Sequence, residues 1–155
     1  MDTHVTPFIT PLRVSDYHRI LADHPRYWGE RDLRPLHLLA LVQEFGSTCL
    51  AVRADDGIRG YVLGFVTPDG TGYVHLIATR DDARGTGIGR ALYAAFAQAA
   101  QARGARRLKA ITSIGNTGSI AFHRGLGFDT EIVDDYNGPG LPMVVFRRGL
   151  PLGLP

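Results

Sequence analysis

Cysteine is nearly absent from this chain. With Cys49 alone, no disulfide can close within it, and in an apolar run that thiol reads as a small core residue rather than a nucleophile. Long hydrophobic runs are absent too, as is a leader with a charged start, an apolar stretch and a small-residue cleavage site, so a cytoplasmic location without a membrane partner is the expectation. Excess charge is small. A formal net charge of +2 gives no ground for a nucleic-acid partner, and it disfavours a dedicated polycationic one. No internal repeat, low-complexity tract or inter-domain linker interrupts the sequence. What remains, 155 residues with 45% apolar and 21% charged side chains, is enough for one domain over residues 1–155 with a substantial core.

One stretch organises the rest: Arg84-Gly85-Thr86-Gly87-Ile88-Gly89-Arg90, between an apolar strand-like run and a long alanine-rich helix. Three glycines at every second position let the backbone turn with φ > 0 and bring its amides close to a ligand. The first turn of the following helix adds unpaired N–H groups and the positive end of its dipole. Phosphate or pyrophosphate is the natural occupant of such a cradle. The dinucleotide fingerprint does not fit, because the spacing is G-x-G-x-G and the region about twenty residues on is basic. The nucleotide P-loop does not fit either, because Gly89 is followed by Arg90-Ala91.

The stretch resembles the acetyl-CoA loop, Arg/Gln-x-x-Gly-x-Gly/Ala, of the GCN5-related N-acetyltransferases. A second stretch, Asn116-x-x-Ser119-x-x-Phe122-His123-x-x-x-Gly127-Phe128, is similar to that family's other motif. The motif-bearing part of the resemblance covers residues 71–128, with a less specific strand pair on either side, while the first forty-five residues match in pattern only. The resemblance implies an α/β domain of the α+β type.

The chain taken in order agrees. Phe8 to Val14 reads as an edge strand interrupted by Pro11. Ser15 caps a helix with Tyr17, Ile20, Leu21 and His24 on one face, stopped by Pro25. Tyr27-Trp28-Gly29-Glu30 falls in the connection. A second helix starts around Pro35, buries Leu38, Leu41, Val42 and Phe45, and ends at Gly46. Strands are expected from Thr48 to Arg53 and Ile58 to Val66, joined by Asp55-Asp56-Gly57, and then from Gly72 to Thr79. A helix from Gly87 to Arg103 buries Ile88, Leu92, Ala95, Phe96 and Ala99. Arg107 to Thr112 completes a parallel β-α-β unit. Asn116 to Leu126 is helical, Phe128 to Asp134 and Met143 to Arg147 are strands, and Asn137 to Gly140 is a turn. Residues 149–155 read as a flexible tail. The total is a mixed, mostly antiparallel twisted sheet of about seven strands flanked by about four helices.

On this frame the resemblance implies acetyl-CoA as cosubstrate, with no metal. Backbone groups of Ile77, Ala78 and Thr79 would pair with the pantetheine arm, and Arg84, Gly85, Thr86, Gly87, Ile88, Gly89 and Arg90 would take the pyrophosphate. Asn116 and Ser119 would adjoin the cofactor. Arg103, Arg106, Arg107 and Lys109 either complement a helix dipole or lie near the adenosine phosphates. Trp28 and Glu30 are candidates for the acceptor pocket, with a lid on the core as the other reading of Trp28. Amide formation needs a neutral amine and a proton for the departing thiolate. The glutamate base common on the family's fourth strand is missing here. His75, or else Tyr73, is the titratable candidate, both on the face of Ile77 if the strand is regular. His75 is equally readable as a side chain hydrogen-bonded within the sheet. The family's usual tyrosine after the second-motif Phe is replaced by His123, either the acid or a residue half-buried against the cofactor. The implied activity is acetyl-CoA-dependent transfer to a primary amine of a small molecule or peptide. The alternative is a CoA-binding regulatory or interaction module without turnover. The sequence leaves open the acceptor, the acyl chain length and the oligomeric state, an oligomer included.

Overall fold

The computed structural model describes residues 8–153. Pro11, which cannot donate to a ladder, ends the short strand β1 (Ile9–Pro11) at one edge of the sheet. The chain then enters α1 (Val14–Ala22). Ser15 lies inside this helix rather than capping it: the carboxylate of Asp16 reaches back to accept the Arg13 N–H at 2.7 Å. Pro25 is not a terminator but sits in the first turn of a separate short helix, α2 (His24–Trp28), where its missing N–H costs nothing. Tyr27 and Trp28 therefore belong to a helix, and Gly29 with φ 61° ends it. The expected second helix is a 3₁₀ turn over Arg34–Leu36 followed by α3 (Leu39–Glu44). Only Val42 of its expected core set is fully buried, while Leu38 and Phe45 are 49% and 41% exposed.

The sheet follows from alternation and turn chemistry. β2 (Leu50–Ala54) and β3 (Gly57–Val66) form a hairpin through Asp55-Asp56, with Gly57 at φ 132°. β3 pairs antiparallel with β4 (Thr71–Thr79). α4 (Ile88–Gln101) crosses over to β5 (Arg107–Thr112), which is parallel to β4. α5 (Thr117–Gly125) leads to β6 (Asp129–Val133) and β7 (Met143–Gly149), and β7 inserts between β5 and β6. The order is β1-β2-β3-β4-β5-β7-β6, the expected seven-stranded mixed sheet.

Each face carries its own core. Tyr93, Phe96, Ala97 and Ala100 of α4 pack with Leu108, Val144 and Phe146 on one side. Ile20, Tyr27, Val42, Cys49, Tyr61 and Leu63 pack on the other. The buried stripe of α4 thus includes Tyr93, Ala97 and Ala100, while Ala95 and Ala99 are only half-buried. Cys49 is fully buried and its thiol is pushed up to about 11 by desolvation. The chain end is packed rather than frayed as far as Leu152, which is buried in the α4-side core while the Arg148 guanidinium bonds its carbonyl. Residues 154 and 155 lie outside the described part. The basic cluster has structural partners: Arg103 caps the Ala99 carbonyl, and Arg106 and Arg107 bond the Asp69 carbonyl. Among the described residues no helix is long and apolar enough to cross a membrane.

Candidate active site

The site exists because two neighbouring strands part company. β4 and β5 pair from Thr71↔Arg107 to Val74↔Ala110 and no further, although β5 continues its pairing with β7 to Thr112. The β5-facing backbone of residues 75–79 is left without a strand partner among the described residues. The cause is a bulge: Leu63 faces Leu76 but the next β3 residue, Gly64, faces Val74, so His75 is an extra residue that bends β4. Gly64 is required there, since a Cβ would lie 2.5 Å from the Phe96 ring and 2.6 Å from the Tyr73 carbonyl oxygen. A cleft of about 1020 Å³ opens between the strands and runs from the α2 side to the start of α4.

The bulge also reassigns side chains. Val74 and Ile77 pack on the α4 side, while Leu76 and Ala78 pack on the other. Tyr73 and His75 therefore do not share a face with Ile77, because the strand is not regular. They point towards the first three helices, where Tyr73 lies against Phe65 at 5.4 Å and His75 at 6.4 Å between ring centroids. His75 Nε2 lies 2.8 Å from the Leu36 carbonyl oxygen, which can only accept. The proton of the neutral ring is thus on Nε2, and Nδ1 keeps its lone pair. Burial pushes the Tyr73 phenol up to about 12, with Tyr136 adding to the shift, so it stays protonated at neutral pH.

At the other end stands the glycine cradle. Gly85 and Gly87 have φ of 77° and 84°, and no atom lies within 4 Å of where a Cβ would be on either. Gly87 caps α4, so the first-turn amides from Ile88 to Arg90 point out of the helix without internal acceptors. Gly89 lines the cleft as well, and because an added Cβ would come within 3.0 Å of the Phe122 ring, its lack of a side chain also lets α5 approach α4. The Ile88 side chain is core, leaving its backbone for a ligand. The Thr86 hydroxyl donates to the Ala83 carbonyl. Arg84 donates to the Tyr27 carbonyl at 3.1 Å. Arg90 lines the cleft.

Asn116 caps α5 by accepting the Ser119 N–H at 3.3 Å, while its amide donates to Thr112 Oγ1 at 2.9 Å. Its side chain is occupied in holding the helix to β5. His123 is 3% exposed and stacked on Phe146, with ring centroids 4.0 Å apart. Its Nδ1–H donates to the Ser119 carbonyl at 2.8 Å, so Nε2 accepts from the Tyr93 hydroxyl at 2.6 Å. Both nitrogens are spent inside the protein, and burial holds the ring below the ordinary histidine value. His123 is among the residues lining the cleft, with both ring nitrogens bonded to protein atoms.

Trp28 does line the cleft, and it is also packed: its indole N–H donates to Tyr61 Oη at 2.8 Å. Glu30 is exposed and is not among the residues lining the cleft. Sequence reasoning missed what holds this wall. The Leu33 N–H donates to His24 Nε2 at 3.0 Å, and the Leu33 carbonyl accepts from His37 Nδ1 at 2.6 Å. His37 Nε2 then accepts from Tyr61 at 2.6 Å, and the Tyr17 hydroxyl donates to the His37 carbonyl at 2.9 Å. Both imidazoles are buried and are held below the ordinary value by desolvation. The available signal was two histidines set among apolar neighbours; their common partner, Leu33, had none.

Comparison with known proteins matches this geometry. The family model described as the acetyltransferase (GNAT) family matches residues 14–128. Mycothiol acetyltransferase of Saccharopolyspora erythraea is 31% identical over 127 residues, 79% of this chain but 42% of that protein. The chain thus spans well under half the length of that curated relative. Among solved structures, the ribosomal-protein-alanine N-acetyltransferase of Brucella melitensis superposes with a TM-score of 0.70 at 25% identity, covering 92% of this chain and 99% of that one. The yncA protein of Salmonella typhimurium, solved with its cofactor acetyl-CoA, has a TM-score of 0.70 at 18% identity, covering 94% of each chain, a likeness of fold. With both motifs, the parted strands and the cradle lying in one matched region, this chain belongs to the acetyltransferase (GNAT) family.

Proposed function

We propose that the protein is an acetyl-CoA-dependent N-acetyltransferase that works by direct attack of an amine on the thioester. One observation carries this reading: the unpaired edge of residues 75–79 and the glycine cradle open into the same cleft. The pantetheine arm, with its amides, is suited to complete β4 as a short extra strand, leaving the pyrophosphate over Gly85, Gly87 and the α4 amides. Ile77, Ala78 and Thr79 supply the backbone partners, with Arg84 and Arg90 as charge-assisted donors.

In the chemical step His75 Nδ1 accepts a proton from the amine, which attacks the acetyl carbon. The N–C bond forms, the C–S bond breaks, the thiolate leaves with the electron pair, and the second proton shed by the nitrogen as it becomes an amide passes to that thiolate. The Leu36 carbonyl holds the imidazole in this orientation by accepting from Nε2–H. Tyr73 is read as a hydrogen-bond donor in the cleft rather than a base, and His123 as a packing residue. The bond cleaved asks for little acid assistance, since a thiol near ~8.5 leaves readily as its anion. A cytoplasmic location belongs to this reading.

The test is thiol release from acetyl-CoA against a panel of amino acids, small amines and peptides. Turnover is expected with at least one of them. His75→Gln should lower kcat by about 10²-fold while leaving CoA affinity intact. Tight CoA binding without turnover on any amine would instead make the chain a CoA-binding module, and absence of CoA binding would remove both readings.

A further inference from the structure

The charged side chains lining the cleft are all cations: Arg31, Arg84 and Arg90. No Asp or Glu lines it among the described residues. Arg84 and Arg90 flank the glycine cradle and have the phosphates of the donor to face. Arg31 does not. It follows α2 on the acceptor side, with its guanidinium carbon 5.9 Å from the centroid of the Trp28 ring. Its neighbours are satisfied, Arg26 by Asp81 and Asp82 and Arg34 by Asp32. Arg31 takes part in no ion pair among the described residues.

The segment that bears it is held firmly. Leu33 is bonded through both its N–H and its carbonyl to buried histidines, and the Leu36 carbonyl is bonded to His75. An exposed planar fork beside an aromatic face, on a chain fixed two residues later at Leu33, is suited to a carboxylate. Around it the wall is apolar, formed by Leu33, Leu36 and Met143.

We infer that the acceptor is a small amine bearing its own carboxylate next to an apolar side chain, an α-amino acid or a close relative, with Arg31 binding the carboxylate. The inference rests on the acetyl transfer proposed above. In solution the acceptor is an ammonium ion, and a bare ammonium entering a cleft lined by arginines is repelled. A carboxylate in the same molecule offsets that repulsion and leaves the amine free to approach His75. A peptide N-terminus has an amide where this carboxylate would be, and a polyamine has only further positive charge.

The test compares L-leucine, L-methionine and L-phenylalanine with their carboxamides and decarboxylated amines, as kcat/KM for thiol release. The free acids should be preferred by about tenfold or more, as expected where a site's charged donor would otherwise be left unpaired. Arg31→Gln should remove that preference by raising KM for the acids alone, with the KM for acetyl-CoA unchanged, and Arg31→Lys should restore part of it. Carboxamides or peptides used as well as the free acids, or an Arg31→Gln effect equal on acids and amides, overturns the inference while acetyl transfer stands. If no amine is turned over, the proposed activity falls instead, and binding decides this point separately. Trp28 is the only tryptophan, so its fluorescence reports on ligands at Arg31. A carboxylate-dependent change, lost in Arg31→Gln, supports the site. No change at concentrations roughly tenfold above the ordinary KM range removes it.

Discussion

His123 illustrates how one side chain changes meaning with its surroundings. Buried between Phe146 and Tyr93, it keeps the Tyr93 hydroxyl satisfied in a core where that phenol is itself fully buried and raised by desolvation. Replacing His123 with Phe preserves the aromatic stack but orphans the Tyr93 O–H, at a cost of about 1–3 kcal/mol. The expected result is a lower melting temperature with kcat within about threefold of the original. The double variant His123→Phe/Tyr93→Phe should be more stable than His123→Phe alone, because both ends of the bond are then removed. A large loss of kcat in His123→Phe, with the alkaline limb of the pH profile moved, would return the ring to catalysis.

At the scale of elements, the junction of the glycine loop with α4 carries the sharpest expectation. Gly87 lies at φ 84° with open space where a Cβ would go, so Gly87→Val strains the backbone and covers the amides without colliding with the core. CoA affinity measured by titration calorimetry should fall by about tenfold or more, with a smaller effect on the fold. Gly89→Val behaves differently, since its Cβ meets the Phe122 ring and separates α4 from α5. That variant should lose melting temperature first. If the two substitutions have the same signature, the division of labour between these glycines is wrong. The bulge at His75 belongs to this scale too: one extra residue turns His75 towards Leu36 and frees the strand edge that the cleft depends on.

For the whole molecule, the histidines buried among the described residues, His24, His37 and His123, set the response to acid. His24, His37 and His123 are each held below the ordinary value of about 6.5, chiefly by desolvation. The unfolded chain therefore takes up protons at a higher pH than the folded one. The stability these neutral rings contribute is complete above about pH 6.5 and is lost as pH falls through the depressed folded values. Protonated His24 would also set an N–H against the Leu33 N–H that it now accepts, and protonated His37 would turn a second donor towards Tyr61. His24 has Arg34 and Asp32 as its charged neighbours, and His37 has His24, His75 and Arg34. Melting temperature should decline between about pH 7 and about pH 5, and His37→Gln, which can still donate to Leu33 and accept from Tyr61, should make that decline shallower. A flat profile would mean that the histidines are not buried as neutral rings.

Much of this was legible in the one-dimensional pattern. Alternation from Ile58 to Val66 and from Gly72 to Thr79, the Asp55-Asp56-Gly57 turn and the apolar period of α4 are local signals, and they determined seven strands, the crossover and the position of the cradle. The glycine spacing likewise marked Gly85 and Gly87, whose positive φ is a property of the backbone itself. Periodicity failed where a single residue broke it. The extra residue at His75 has no sequence signature, yet it separates Ile77 from Tyr73 and His75, which regular alternation assigned to one face. The surroundings of His123 and Gly89 and the His24–Leu33–His37 bonds were decided only by packing. Whether an imidazole nitrogen is left open or is bonded to a tyrosine hydroxyl thirty residues away depends on the rotation of α5 against α4 and β7. That rotation is set by contacts between elements, which no spacing within one element can encode.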